Sequence, residues 1–106
     1  MATVEVTTRN DKITAAGQAY AKVRASKILE QFPRAENVHV ILDKQRHLFQ
    51  AEVVVQRRSE RLVGVSQHAE NLRSAIDTAA ARVEKQLRAN LKKANSKLIR
   101  NGEKVA

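Results

Sequence analysis

Val38-His39-Val40-Ile41-Leu42-Asp43-Lys44-Gln45-Arg46-His47-Leu48-Phe49-Gln50-Ala51-Glu52-Val53-Val54-Val55-Gln56-Arg57-Arg58-Ser59-Glu60-Arg61-Leu62-Val63-Gly64-Val65-Ser66 is the stretch that decides the fold. It holds three apolar, β-branched runs, over 38–42, 48–56 and 61–66, parted by polar segments at 44–47 and 57–60. β-Branched side chains suit a pleated, half-buried surface, and short polar connections join antiparallel neighbours. The stretch therefore predicts an antiparallel three-stranded meander, with Val53-Val54-Val55 in its strongest strand.

Working outward, residues 3–8 alternate, Val4 and Val6 one way and Glu5 and Thr7 the other, which predicts a further strand. Arg9 to Lys12 reads as a polar turn. Thr14 has N-cap chemistry for a helix running to about Gln31, and Pro33 stops it. The apolar face of that helix is rich in alanine and is weakened by Gly17, so the helix depends on the sheet. On the other side of the meander, Asn71 is an N-cap for a second helix and Gly102 its terminator. Leu72, Ile76, Ala79, Ala80, Val83, Leu87 and Leu98 gather into one arc of it at about 100° per residue.

The predicted order is β-α-β-β-β-α. The fold class is α+β: a four-stranded sheet with both helices packed on one face, since each has a single apolar stripe. A helix of about 30 residues is about 45 Å long, whereas the strands span roughly 20–30 Å. The second helix should overhang the sheet. Residues 1–94 are expected to form the folded domain, and 95–106 a basic helix extension and tail, partly disordered. There is no internal repeat and no linker.

The charge is as uneven as the fold is regular. From Asn71 to Ala106 there are nine Lys/Arg against three acids, +6 of the chain's formal +9. Arg82, Lys85, Arg88, Lys92, Lys93 and Arg100 fall largely opposite the apolar arc, making a column of positive charge suited to phosphates. The plain alternative is a solvated helix face, but such faces mix signs, and here Glu84 is the main offset, four residues before Arg88. On the first helix, Lys22, Arg24 and Lys27 also serve merely to keep an alanine-rich helix soluble in the bland reading. Only Tyr20, Phe32 and Phe49 are aromatic, and none lies in the basic helix. That weakens base-stacking on single strands and membrane-surface binding, and favours a protein that reads the backbone of structured nucleic acid.

Other chemistries find little support. The chain has no cysteine, hence no disulfide framework or thiolate zinc site. Its start shows no apolar signal segment, and no run approaches the roughly 20 apolar residues that span a bilayer. His39, His47 and His68 sit on separate elements without a second ligand at i+3 or i+4; His68 could at most be a minor RNA contact. The serines lack a base and orienter, and three glycines leave no phosphate-cradling loop. The reading is a non-enzyme with no metal or other cofactor.

Several segments carry a resemblance. Ile13-Thr14, Phe49-Gln50-Ala51-Glu52-Val53, Glu70-Asn71-Leu72-Arg73-Ser74-Ala75-Ile76-Asp77 and Arg82-Val83-Glu84-Lys85-Gln86-Leu87 resemble the ribosome hibernation promoting factor family, also called ribosome-associated inhibitor A or sigma-54 modulation protein. The likeness covers about residues 4–93 in order, and corresponds to the short form or to a truncated long form; long members carry a further C-terminal domain that pairs two ribosomes. It implies a fold similar to a double-stranded-RNA-binding domain with an added first strand. It also implies a partner, the small ribosomal subunit with its 16S rRNA, alone or within the 70S ribosome. The protein would sit there in the channel of messenger and transfer RNA, competing with both and stopping translation under stress or in stationary phase. Arg24, Lys27, Arg82 and Lys85 fall where the family carries RNA-facing basic residues; Arg88, Lys92 and Lys93 continue the column by periodicity. The family has an aromatic where this chain has Arg73, a basic residue at Gln18 and a larger apolar one at Gly17. Arg73 is thus either an added RNA contact or a solvated substitute.

These readings place the chain in a bacterial cytoplasm, or less readily a plastid stroma, with no membrane partner. A free monomer is expected, because the outer sheet face shows no leftover apolar stripe. Two other readings stand beside the first. One is a transcription-linked module that binds a sigma factor through the sheet face at Glu5, Thr7, Gln50 and Glu52; the other is a general binder of structured RNA.

Overall fold

The computed structural model describes the backbone of residues 2–105 other than residue 59, and the side chains of residues 2–89 other than 59 and 68. Its elements are β1 (Thr3–Thr8), α1 (Ala15–Gln31), β2 (Asn37–Gln45), β3 (Leu48–Arg57), β4 (Glu60–Ala69) and α2 (Leu72–Val105). The four strands form one sheet in the order β1-β2-β3-β4. β1 runs parallel to β2, with Val4 opposite Val38 and Val6 opposite Val40. β2, β3 and β4 form the antiparallel meander, with Val40 opposite Val53 and Val53 opposite Gly64.

Strand alternation sends Val38, Val40, Leu42, Ala51, Val53 and Val55 to one face, where they are buried beneath Ala21, Ala25 and Ile28 of α1 and Ile76, Ala79, Ala80, Val83 and Leu87 of α2. The helix caps are local. Thr14 Oγ1 accepts the Gly17 N–H at 3.0 Å and Asn71 Oδ1 accepts the Ser74 N–H at 2.7 Å, each covering a backbone donor the first helical turn leaves open. At the other end of α1 the Phe32 N–H bonds the Ile28 carbonyl at 2.9 Å, and Pro33 ends the helix.

Two glycines set the distance between layers. A Cβ on Gly64 would run into the Ala79 carbonyl and lie 2.7 Å from Val83 N, so this glycine lets the α2 backbone settle on β4. A Cβ on Gly17 would collide with the end of the Leu72 side chain. Gly17, read in the sequence as a weak point of the helix, is where the two helices approach closely.

Four expectations need correction. β2 continues through Asp43, Lys44 and Gln45, which pair with Gln50, Phe49 and Leu48, so the turn narrows to Arg46-His47. β4 continues to Ala69, past an irregularity opposite Phe49 and Ala51. α2 runs past Gly102 to Val105. The outer sheet face does carry an apolar group: Val54 is buried and Ile41, Val63 and Val65 are half-buried there. Val54 faces Val63, and Val65 and Ile41 flank Glu52, so the outer face does not by itself favour a free monomer. The expected tail, 95–106, lies outside the residues whose side chains are described.

Candidate nucleic-acid interface

α1 and α2 lie side by side and run the same way, as the contacts Gly17 to Leu72, Tyr20 to Asp77 and Arg24 to Glu84 show. The seam between them is built from two helical stripes at spacings of four and seven residues: Tyr20 and Arg24 on α1, and Arg73, Asp77 and Glu84 on α2. Arg24 is held there as a fork. Its Nη1 and Nη2 donate to the two carboxylate oxygens of Glu84 at 2.8 and 2.9 Å, and its Nε lies 3.7 Å from Asp77 Oδ1. Glu84 is 5 % exposed, so its charge depends on this partner. The hydrogen bond to Glu84, reinforced by both carboxylates, outweighs burial and raises the Arg24 pKa above its ordinary value.

Next along the seam, the Tyr20 hydroxyl donates to Asp77 Oδ1 at 2.5 Å, and the Arg73 guanidinium stands 4.6 Å from the centroid of the Tyr20 ring. The Asp77 hydrogen bond is the largest cause that raises the tyrosine pKa, with desolvation and the negative charge of Asp77 adding to it. Two cations and two acids thus balance inside the seam. Glu84 pairs with Arg24 across the helices rather than with Arg88, the partner four residues along that the sequence suggests. The physical reason is position: Glu84 adjoins Val83 and Leu87 at the α1 side of the buried arc, so its carboxylate has to find a donor there.

With the acids engaged inside, positive charge faces outward. Lys22 and Lys27 on α1 and Arg82, Lys85 and Arg88 on α2 are exposed, and none of them forms an ion pair among the described residues. Arg82 has an additional task. It donates to the Val65 carbonyl, and the Gln86 amide donates to the Val63 carbonyl at 2.7 Å. These carbonyls belong to an edge strand, whose unpaired groups otherwise invite another chain. Lys92 and Lys93 lie outside the residues whose side chains are described, as does His68. Of the expected contacts, Lys22, Lys27, Arg82, Lys85 and Arg88 are each exposed, with Arg82 turned to the β4 edge, Arg73 lies over Tyr20, and Arg24 is turned into the seam. Sequence reasoning missed Asp77 and Glu84 as the groups that hold the seam; the only signal was that they are two of the three acids in a basic stretch. No helix among the described residues is long and apolar enough to cross a membrane.

A β-α-β-β-β-α domain with two parallel helices over one sheet face, bearing a cationic outer surface, is a recognisable class. The family model described as sigma 54 modulation protein / S30EA ribosomal protein matches residues 4–95, and the chain belongs to that family. Among solved structures, it is similar to a ribosomal subunit interface protein from Coxiella burnetii, with a TM-score of 0.74, 13 % identity, and coverage of 85 % of this chain and 98 % of that one. It is also similar to the N-terminal domain of Protein Y from Thermus thermophilus, with a TM-score of 0.67, 25 % identity, and coverage of 81 % and 94 %. No curated protein matches in sequence.

Proposed function

We propose that this protein is a ribosome hibernation factor that binds the small subunit in the channel of messenger and transfer RNA and stops translation. The observation that carries the reading is the outer face of the helix pair, where Lys27, Lys85 and Arg88 stand exposed without an acid while the seam acids are occupied by Arg24 and Tyr20. In a chain of this family, such a face suits rRNA phosphates. The mechanism is steric exclusion joined to charge: the helices hold the rRNA backbone, and the rigid sheet fills space that anticodon stems and messenger need. No bond is made or broken and no cofactor takes part. The same reading places the protein in the cytoplasm, acting on 70S ribosomes in starvation or stationary phase.

The test is co-sedimentation of the full chain with small subunits at two salt concentrations, with and without messenger and initiator tRNA. Binding that weakens steeply with salt and is displaced by tRNA and messenger is expected; binding indifferent to both would move the site away from the channel. A second reading, docking of a sigma factor on the open sheet face, draws on Glu5, Thr7, Gln50 and Glu52, which lie there with Val63 and Val65. Retention of the chain by immobilised sigma factor, with no binding to subunits, would favour it.

A further inference from the structure

The α1 stripe that carries Tyr20, Arg24 and Lys27 reaches Gln31 four residues on, and there it opens into a hollow. Gln31, Phe32, Pro33, Arg34 and Arg57 line a space of about 220 Å³ at the end of the domain. Phe32 leans on the core with one part of its ring and remains half-exposed with the rest. The guanidinium of Arg57 is fixed by Glu60 at 2.7 Å and forms a flat wall. Arg34 is exposed and forms no ion pair among the described residues.

The neighbouring turn adds a second cation in an unusual backbone state. Arg58 has φ of 54°, in the left-handed region that glycine or asparagine ordinarily fills. That conformation is held from both sides: the Arg58 N–H donates to Glu36 Oε1 at 2.9 Å, and the Gln56 amide donates to the Arg58 carbonyl at 2.7 Å. Glu36 belongs to the same α1–β2 connection as Phe32 and Arg34, so the turn and the hollow are fastened together. Glu60 is paired with Arg57 and Glu36 accepts the Arg58 N–H, while the side chains of Arg34 and Arg58 are exposed. A half-exposed aromatic beside a flat guanidinium, with the exposed Arg34 at the rim and the exposed Arg58 on the adjoining turn, is the chemistry that takes a base on one side and a phosphate on the other.

We propose that this hollow binds one unpaired nucleotide of RNA, its base against Phe32 and Pro33 and its phosphate on Arg34 and Arg58. The proposal rests on the RNA-binding reading above and deepens it. A backbone that follows the cations of the helix pair towards Gln31 would deliver its next unpaired nucleotide into the hollow. This gives the surface a means of favouring an rRNA site with an extruded base over a plain duplex, which a column of charge alone lacks.

The test is a titration of the full free chain, followed by amide NMR spectra, with adenosine 5′-monophosphate and with ribose 5-phosphate. The nucleotide should shift the amides of Gln31, Phe32, Arg34 and Arg58 and bind about fivefold or more tighter than the sugar phosphate, the difference that a stacked base supplies. Arg34→Ala and Arg58→Gly should each weaken nucleotide binding severalfold. Glycine suits the left-handed turn, so Arg58→Gly should keep or raise the melting temperature while binding falls; a merely structural arginine would not separate the two. Equal affinity for both ligands, shifts confined to exposed positions of α1 and α2, or full binding by both variants would overturn the proposal. Because the titration uses no ribosome, a negative result is distinct from failure of the sedimentation experiment.

Discussion

Arg24 of α1 and Glu84 of α2, sixty residues apart in sequence, meet in a two-pronged hydrogen bond at 2.8 and 2.9 Å across the helix seam. The carboxylate is almost wholly buried and the guanidinium mostly so. Arg24→Ala therefore strands a buried charge and should lower unfolding free energy by about 3–5 kcal/mol, whereas joint replacement by Met and Leu should be near neutral. Urea unfolding of the two variants measures both. Unchanged stability with weakened subunit binding would instead make Arg24 an RNA contact.

Lys85 and Arg88 are exposed and hold no structural partner, so their reversal tests the charged face cleanly. Lys85→Glu with Arg88→Glu should abolish co-sedimentation with small subunits while leaving the melting temperature close to that of the parent. Neutralising Lys85 alone should reduce the slope of log K against log salt by about 0.7–0.9. Arg82→Glu with Lys85→Glu should also abolish binding, but it frees the Val65 carbonyl at the sheet edge and so mixes two effects.

Tyr20 is the chain's single tyrosine, which makes its titration directly visible as tyrosinate absorbance. Its pKa is raised from 10.0 in the folded state, so the folded protein holds the phenolic proton more tightly than the unfolded chain does. The resulting stabilisation is fully present below pH 10 and is lost as pH rises through the folded pKa. Melting temperatures should fall across that alkaline window, and Tyr20→Phe should remove this contribution.

Gly64→Ala and Gly17→Ala should behave differently although both sites are crowded. At Gly64 the obstacle is the α2 backbone at Ala79 and Val83, which cannot swing aside, so a loss of about 1–3 kcal/mol is expected. At Gly17 the obstacle is the end of the Leu72 side chain, and alanine gains about 1 kcal/mol of helix propensity, so the net change should be small. Thermal unfolding of both variants decides it.

Much of the fold was legible because its determinants are local. Thr14 and Asn71 cap helices within three residues, and the valine runs of 38–66 specify strands and their order. Strand ends were less legible, since Asp43-Lys44-Gln45 and Gln67-His68 are polar; the first three become strand by pairing with Gln50, Phe49 and Leu48, and β4 reaches Ala69 by its pairing with Phe49. The exposed half of the site, Lys27, Lys85 and Arg88, could be read from helical period. The seam could not: Arg24 and Glu84 look alike as surface charges until the sheet fixes the register of the two helices. Arg34 and Arg58 were overlooked for the same reason, as only the fold joins Pro33-Arg34 to the Arg57-Arg58 turn.

The parallel pairing of β1 with β2 also bears on the order of folding. Thr3 to Thr8 pair with Asn37 to Leu42, so β1 has no partner until the chain has grown by 34 residues. At the pace of synthesis that is a wait of roughly 2–7 s, far longer than a hairpin needs to close once its strands exist. During it Val4 and Val6 are uncovered, and only Glu5 between them and the threonines on either side keep the segment from adhering to other chains. The strand made earliest among the four is held in reserve and admitted only when the helix that follows it has brought β2 alongside.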